Sequence, residues 1–161
     1  MAIDKGKMKA FAADQVREKK HTVLIVDDEE LILEAMSMML GDECNVIQAR
    51  SGAEAVDVLR ATRQEISLII SDQRMPGMPG VEFLTQAISL APMAIRMMVT
   101  GYIDVLNLVA AINEAHIHTF LAKPVEYDDF LRTVRAGLEA YEEGMKPYRR
   151  IGELEQRLAD L

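Results

Sequence analysis

From position 22 onward, short continuous apolar runs alternate with longer stretches in which apolar residues recur every three or four positions. The short runs read as strands buried on both faces, and the longer stretches as helices with one apolar side. The first run, Val23-Leu24-Ile25-Val26, ends abruptly in Asp27-Asp28. Leu31, Leu33, Ala35, Met36, Met39 and Leu40 predict the first helix, which Gly41 stops. A weaker strand is expected over 46–49. Ser51 with Glu54 three residues on forms a capping-box pattern ahead of Ala55, Val56, Val58 and Leu59, a second helix.

The third strand, 66–70, leads to Asp72 and to the loop Met75-Pro76-Gly77-Met78-Pro79-Gly80, which holds too many breakers for regular structure. A helix over 81–89, a strand over 95–99 closed by Thr100-Gly101, a helix over 104–115, a strand over 118–122 ended by Lys123-Pro124, and a long helix from 127 to about 143 complete the series. Five strands alternating with five helices imply parallel strands joined by right-handed crossovers. The expected fold is therefore α/β, a doubly wound (βα)5 five-stranded parallel sheet with helices on both faces. Ligands bind such sheets at the carboxyl ends of the strands. Asp27, Asp28, Asp72, Thr100 and Lys123 each follow the apolar part of a strand, so all five are expected to converge on that one edge.

Crowded carboxylates repel: at about 4 Å and an effective dielectric near 20, each close pair costs on the order of 4 kcal/mol. One lysine cannot offset three acids, whereas a hard divalent cation can. Oxygen ligands without His or Cys nearby point to Mg²⁺. A carboxylate beside such a cation and an ammonium can accept a phosphoryl group, because both neutralise the oxygens in flight. Lys123 supplies the ammonium, and Thr100 a hydroxyl for a phosphoryl oxygen.

Composition narrows the classes. The 161 residues are half apolar, enough for a real core, and their 18 basic against 26 acidic side chains leave a net charge of -8 that would repel nucleic acid. Cys44 is the one cysteine, so no internal disulfide or zinc cluster is expected, which suits a reducing compartment. No stretch is apolar enough to span a membrane, and the expected location is the cytoplasm. Residues 1–21 read as a solvated extension, with Lys5, Lys7, Lys9, Arg17, Lys19 and Lys20 against Asp4, Asp14 and Glu18.

The runs VLIVDDEE, SDQRMPGMPGVEFL, MMVTGY and FLAKP, in this order and at these separations, resemble the receiver domain of bacterial two-component response regulators. The resemblance covers roughly Thr22 to Glu143 and implies a flavodoxin-like receiver fold, with the receiver domain over 22–144. It implies Asp72 as phosphoacceptor and Asp27, Asp28, Asp72 and the backbone carbonyl of Arg74 as the Mg²⁺ ligands. It further implies Lys123 as the catalytic ammonium, Thr100 and Phe120 as switch residues, and a cis Lys123-Pro124 peptide. The partners implied are a histidine kinase or phosphotransfer protein and an effector domain or downstream protein, with homodimers through the fourth helix, fifth strand and fifth helix or through the C-terminal helix. More narrowly, DQRMPGMPGVEFL, VTGY and AINEAHIHTFLAKP are similar to receivers that precede cyclic-di-GMP phosphodiesterase or σ54-activator outputs.

The function so expected is a phosphorylation-dependent switch rather than a turnover enzyme. Two alternatives stand beside it. An aspartyl-phosphate phosphohydrolase shares the strand-end Asp, Thr, Lys and Mg²⁺, but its nucleophile follows the first strand with a second Asp two residues on. A phosphorylation-independent docking module would keep its partner without Asp72. Met36, Met38 and Met39 are expected in the core, Met75 and Met78 to be more exposed, with a partner contact as the lesser reading, and His116 and His118 not as metal ligands. Arg74 and Tyr102 could screen a phosphoryl-aspartate from water. In the tail, Gly144 and Pro147 are expected to interrupt the helix before Ile151, Leu154, Leu158 and Leu161 resume the apolar spacing, so 145–161 reads as a helical linker or coiled-coil stub.

Overall fold

The computed structural model describes residues 20–101 and 105–161. Its strands are β1 (Thr22–Val26), β2 (Asn45–Ala49), β3 (Leu68–Asp72), β4 (Ile95–Thr100) and β5 (Thr119–Ala122). The helices are α1 (Glu30–Leu40), α2 (Gly52–Ala61), α3 (Gly80–Leu90), α4 (Val105–Ala115) and α5 (Tyr127–Ala159). The strands pair in parallel in the order β2-β1-β3-β4-β5. This is the expected doubly wound α/β sheet of the flavodoxin-like class.

The continuous apolar runs are explained by position. Every residue of β1, β3 and β4 is buried, because these three strands occupy the middle of the sheet with a core on each side. One core gathers Leu24, Ile69, Phe83, Leu84 and Met98 beneath α2 and α3. The other gathers Ile25, Leu33, Met36, Ile70, Met97 and Phe130 beneath α1 and α5. The edge strands β2 and β5 are only partly covered, hence their weaker sequence signal.

Helix ends follow their local chemistry. The Ser51 hydroxyl accepts from the Glu54 amide at 3.0 Å, and the Glu54 carboxylate accepts from the Arg50 amide at 3.1 Å, one residue before the usual partner. Gly41 closes α1 at φ 50°, a conformation that favours glycine.

Three expectations change. Met38 is 81% exposed, because it falls on the outer face of α1 while Met36 points inward. Met75 is buried and Met78 packs against the core, since the loop after β3 folds back over α2 rather than outward; a Cβ at Gly52 would lie 2.8 Å from the Met78 Sδ. Finally, α5 runs unbroken for 33 residues through Gly144 and Pro147. The proline removes one donor in a solvated stretch, and the ion pairs Lys146–Glu143 and Arg149–Glu142 lie around that point. Tyr102 and the N-terminal positions 1–19 lie outside the described residues. Among the described residues no helix is long and apolar enough to cross a membrane.

Candidate functional site

Parallel pairing brings the strand ends to one edge. Asp27 follows β1, Asp72 is the last residue of β3, Thr100 ends β4, and Lys123 follows β5. The β3–β4 register sets Asp72 beside Val99, and the β4–β5 register sets Thr100 beside Ala122. The Lys123 amide donates to the Thr100 carbonyl at 2.9 Å, extending the ladder one step so that its side chain starts at the same level.

The side chains then meet. Lys123 Nζ lies 2.9 Å from Asp27 Oδ2 and 3.3 Å from Asp72 Oδ2. Asp27 is 1% exposed and Asp72 7%, whereas Asp28 faces solvent at the mouth. Asp27, Asp28 and Asp72 each offer a carboxylate oxygen within 4.8 Å of the others. Such an oxygen-only set fits a hard divalent cation. His116 and His118 take no part; the His118 Nδ1 instead accepts from the Arg96 amide at 2.9 Å at the start of β4.

Burial pushes the Asp72 carboxyl above its ordinary range, and neighbouring Asp27 adds to the rise, while Lys123 and the Gln73 amide pull the other way. For Lys123, burial is the largest single influence and acts downward, yet the hydrogen bond to Asp27 and the charge of Asp72 together hold the ammonium above its usual value. The site is thus a cationic side chain clamped between two buried acids, with a third acid at its rim and an excess of negative charge.

Backbone donors that residue types alone do not reveal complete the site. The Glu29 amide donates to Asp27 Oδ1 at 2.9 Å, and the Gln73 amide to Asp72 Oδ1 at 2.8 Å. The Gln73 side chain accepts from the Val81 amide at 2.9 Å and so fastens α3 to the strand that carries Asp72. Gly80 passes so close that a Cβ there would stand 2.1 Å from the Asp72 carbonyl oxygen. That glycine was a legible signal for close approach, within a loop already marked by breakers. Arg74 lies in this loop with its side chain exposed. Thr100 is buried, and Phe120 is half-buried against the core on the α2–α3 side. The Lys123–Pro124 peptide is cis.

Comparison with known proteins agrees with this geometry. A model of the response regulator receiver domain matches residues 23–135. The hydrogenase transcriptional regulatory protein HoxA of Cupriavidus necator is 40% identical over 123 residues, which are 76% of this chain and 25% of that protein. A cyclic di-GMP phosphodiesterase of Thermotoga maritima is 32% identical over 108 residues, 66% of this chain and 28% of that protein. The chain therefore spans about a quarter of the length of these relatives. Among solved structures, an adenylate cyclase from Rhodopirellula baltica superposes with a TM-score of 0.76 at 29% identity, covering 82% of this chain and 97% of that one. A CheY-like receiver domain protein from Methanospirillum hungatei gives 0.71 at 30% identity, covering 76% and 97%. With its strand-end acids and lysine gathered on such a fold, the chain belongs to the response regulator receiver domain family.

Proposed function

We propose that this chain is a phosphorylation-dependent signalling switch in which Asp72 accepts a phosphoryl group from a histidine kinase or phosphotransfer protein. The observation that carries this reading is the Lys123 ammonium at 2.9 Å from Asp27 and 3.3 Å from Asp72, inside a cluster with more negative charge than one lysine neutralises. Asp27, Asp28 and Asp72, with the Arg74 carbonyl, would hold Mg²⁺. That ion, when bound, supplies the charge that shields phosphoryl oxygens from the surrounding carboxylates.

The protein's own groups account for the rest of the step. An oxygen of Asp72 forms the new bond to phosphorus as the bond from phosphorus to the donor's nitrogen breaks. Hydrogen bonds from Lys123 and the Gln73 amide orient the carboxylate, and Asp27, itself anchored by the Glu29 amide, holds Lys123 in place. Thr100, buried at the end of β4, supplies a hydroxyl to the arriving phosphoryl oxygen. Phe120 is half-buried at the neighbouring strand, so its ring can repack when Thr100 moves and alter the face made by α4, β5 and α5. An effector domain or separate protein in the cytoplasm would read that face. The motifs favour outputs of the two kinds named among its relatives, transcriptional regulation or cyclic di-GMP hydrolysis.

The direct test uses labelled acetyl phosphate as donor with Mg²⁺ present. The chain is expected to take up label and the Asp72→Asn variant to take up none. Label retained on Asp72→Asn would overturn the assignment.

A further inference from the structure

Helix α3 begins without a cap of its own. Its N-cap is Pro79, which has neither a side-chain acceptor nor an amide proton, so the open amides of the first turn need an acceptor from elsewhere. A Ser, Thr, Asp or Asn at that place would supply one locally. Here a residue eight positions before Val81 does so instead. The Gly80 amide donates to the Gln73 carbonyl at 3.0 Å, and the Val81 amide donates to Gln73 Oε1 at 2.9 Å. Gln73 therefore caps α3 twice, once with its backbone and once with its side chain. Its own amide donates to Asp72 Oδ1 at 2.8 Å, so one residue ties the Asp72 carboxylate to the start of a helix.

The same two caps close a loop. Residues 73–80 leave β3 and turn back so tightly that Gly80 lies against the Asp72 carbonyl. Met75 is buried and Met78 packs on the core, which holds the far side of the loop. The near side, where Gln73 leads into Arg74, is held by the clasp to α3. Glycines at 77 and 80 give this backbone more freedom than other residues would, so what fixes its course decides where its carbonyls lie.

We infer that, given the Mg²⁺ reading on which this rests, Gln73 is a positioning residue whose side chain fixes the course of the loop and thereby sets how tightly the site holds Mg²⁺. Arg74, whose carbonyl is a proposed ligand, is the next residue along the chain. Its carbonyl joins an ion held by Asp27, Asp28 and Asp72 only when the loop leaves β3 in one direction. With the clasp made, that direction is set before the ion arrives. Without it, the ion must order the loop as well, and its apparent dissociation constant rises as the competent fraction falls. Removing a group that holds a ligand, rather than the metal itself, costs roughly 10- to 100-fold in affinity. Reach matters as much as polarity: asparagine carries the same amide one methylene short of the Val81 amide.

The test is isothermal titration calorimetry of MgCl₂ into the whole chain without phosphodonor, paired with urea unfolding in chelator. Gln73→Leu should weaken Mg²⁺ about tenfold, and Gln73→Asn, which differs by one methylene and serves if the leucine variant does not fold, should weaken it to a similar degree. Gln73→Glu keeps an acceptor at the same reach, favoured at a helix N-terminus, and should recover the loss. Both weakened variants should also unfold at lower urea without metal, because a helix cap is gone. That fall with Mg²⁺ affinity unchanged would make Gln73 a cap and nothing more, overturning the inference while leaving the reading of the site intact. A loss that Gln73→Glu does not recover would overturn it too. An unsubstituted chain that takes up no Mg²⁺ would instead overturn the reading of the site, and the role of Gln73 with it.

Discussion

The two ends of the sheet are both lined with charged groups, yet only one is at rest. At the carboxyl ends, Asp27 and Asp72 share the Lys123 ammonium, and Asp28 brings a third carboxylate within 4.8 Å of theirs. At the amino ends, Glu65 and Glu142 each meet partners. The Tyr141 hydroxyl donates to Glu65, His21 Nδ1 lies 3.0 Å from the Ser67 hydroxyl, and Glu142 pairs with Arg149, with Lys20 at 3.4 Å and with His21 at 3.5 Å. The His21 and Tyr141 rings stack edge to face at 5.9 Å. A satisfied polar cluster holds parts together: this one pins the start of β1 to the point where α5 leaves the sheet. One with more acids than ammonium groups keeps a repulsion that a divalent cation can relieve, the arrangement expected of a reactive site.

The contrast can be broken or sharpened by substitution. The largest effect should come from Lys123→Ala, which removes the ammonium that reaches both Asp27 and Asp72 and should slow phosphoryl uptake from acetyl phosphate about a hundredfold. Tyr141→Phe at the other end should leave that rate unchanged. Equal losses of uptake from both variants would erase the distinction between the ends.

Stability should divide the other way. Mg²⁺ at ten times its dissociation constant should stabilise the chain by about 1.4 kcal/mol in urea unfolding, and chelator should remove the gain. Tyr141→Phe should cost about 1 kcal/mol, with or without Mg²⁺, through loss of a buried hydroxyl's hydrogen bond. In contrast, Asp72→Asn should raise the metal-free melting temperature by a few degrees. The sign follows from burial: the folded chain holds the Asp72 proton to higher pH than the unfolded chain does, so ionisation costs stability as pH rises through that interval, a cost that asparagine does not carry. A lower melting temperature for Asp72→Asn in chelator would show that the acidic end is not repulsive.

The smallest effect is a pH slope at the satisfied end. Burial holds the His21 ring below its ordinary value, so the unfolded chain binds a proton first and stability should fall as pH drops from about 6.5 through the folded value. Glu142 does not contribute there. Its hydrogen bond with Arg149 holds it at about 2, and its contribution is lost only as pH falls from the ordinary carboxylate range through that value. His118, also lowered by burial, adds a slope of the same sign. Urea midpoints between pH 7 and 5.5 should therefore flatten in His21→Gln to the part that His118 leaves; an unchanged slope would remove His21 from the account.

The reactive end was more legible in the chain than the resting one. Asp27, Asp72 and Lys123 each sit where an apolar run stops, and β1, β3 and β4 announce themselves because a strand covered on both faces needs no polar position. The resting cluster has no such signature: His21 and Ser67 are 46 residues apart, and Tyr141 and Glu65 are 76 apart, each an ordinary residue in its own segment. Met38 and Met75 misled for a related reason. Both are compatible with core or surface, and only the rotation of α1 and the fold-back of the loop after β3 assigned Met38 to solvent and Met75 to the core. The amides of Glu29 and Gln73 that anchor the two buried acids belong to every residue alike, so no side chain could announce them.

By itself the chain determined its alternation of strand and helix, the parallel sheet that follows from it, and the set of residues delivered to one edge, because periodicity and breakers act locally. Tertiary structure decided the distances. Whether Lys123 reaches Asp27 and Asp72 together, which methionines are covered, and how far α5 continues into water depend on packing between segments distant in sequence, where free energy is set by what each side chain meets rather than by what precedes it.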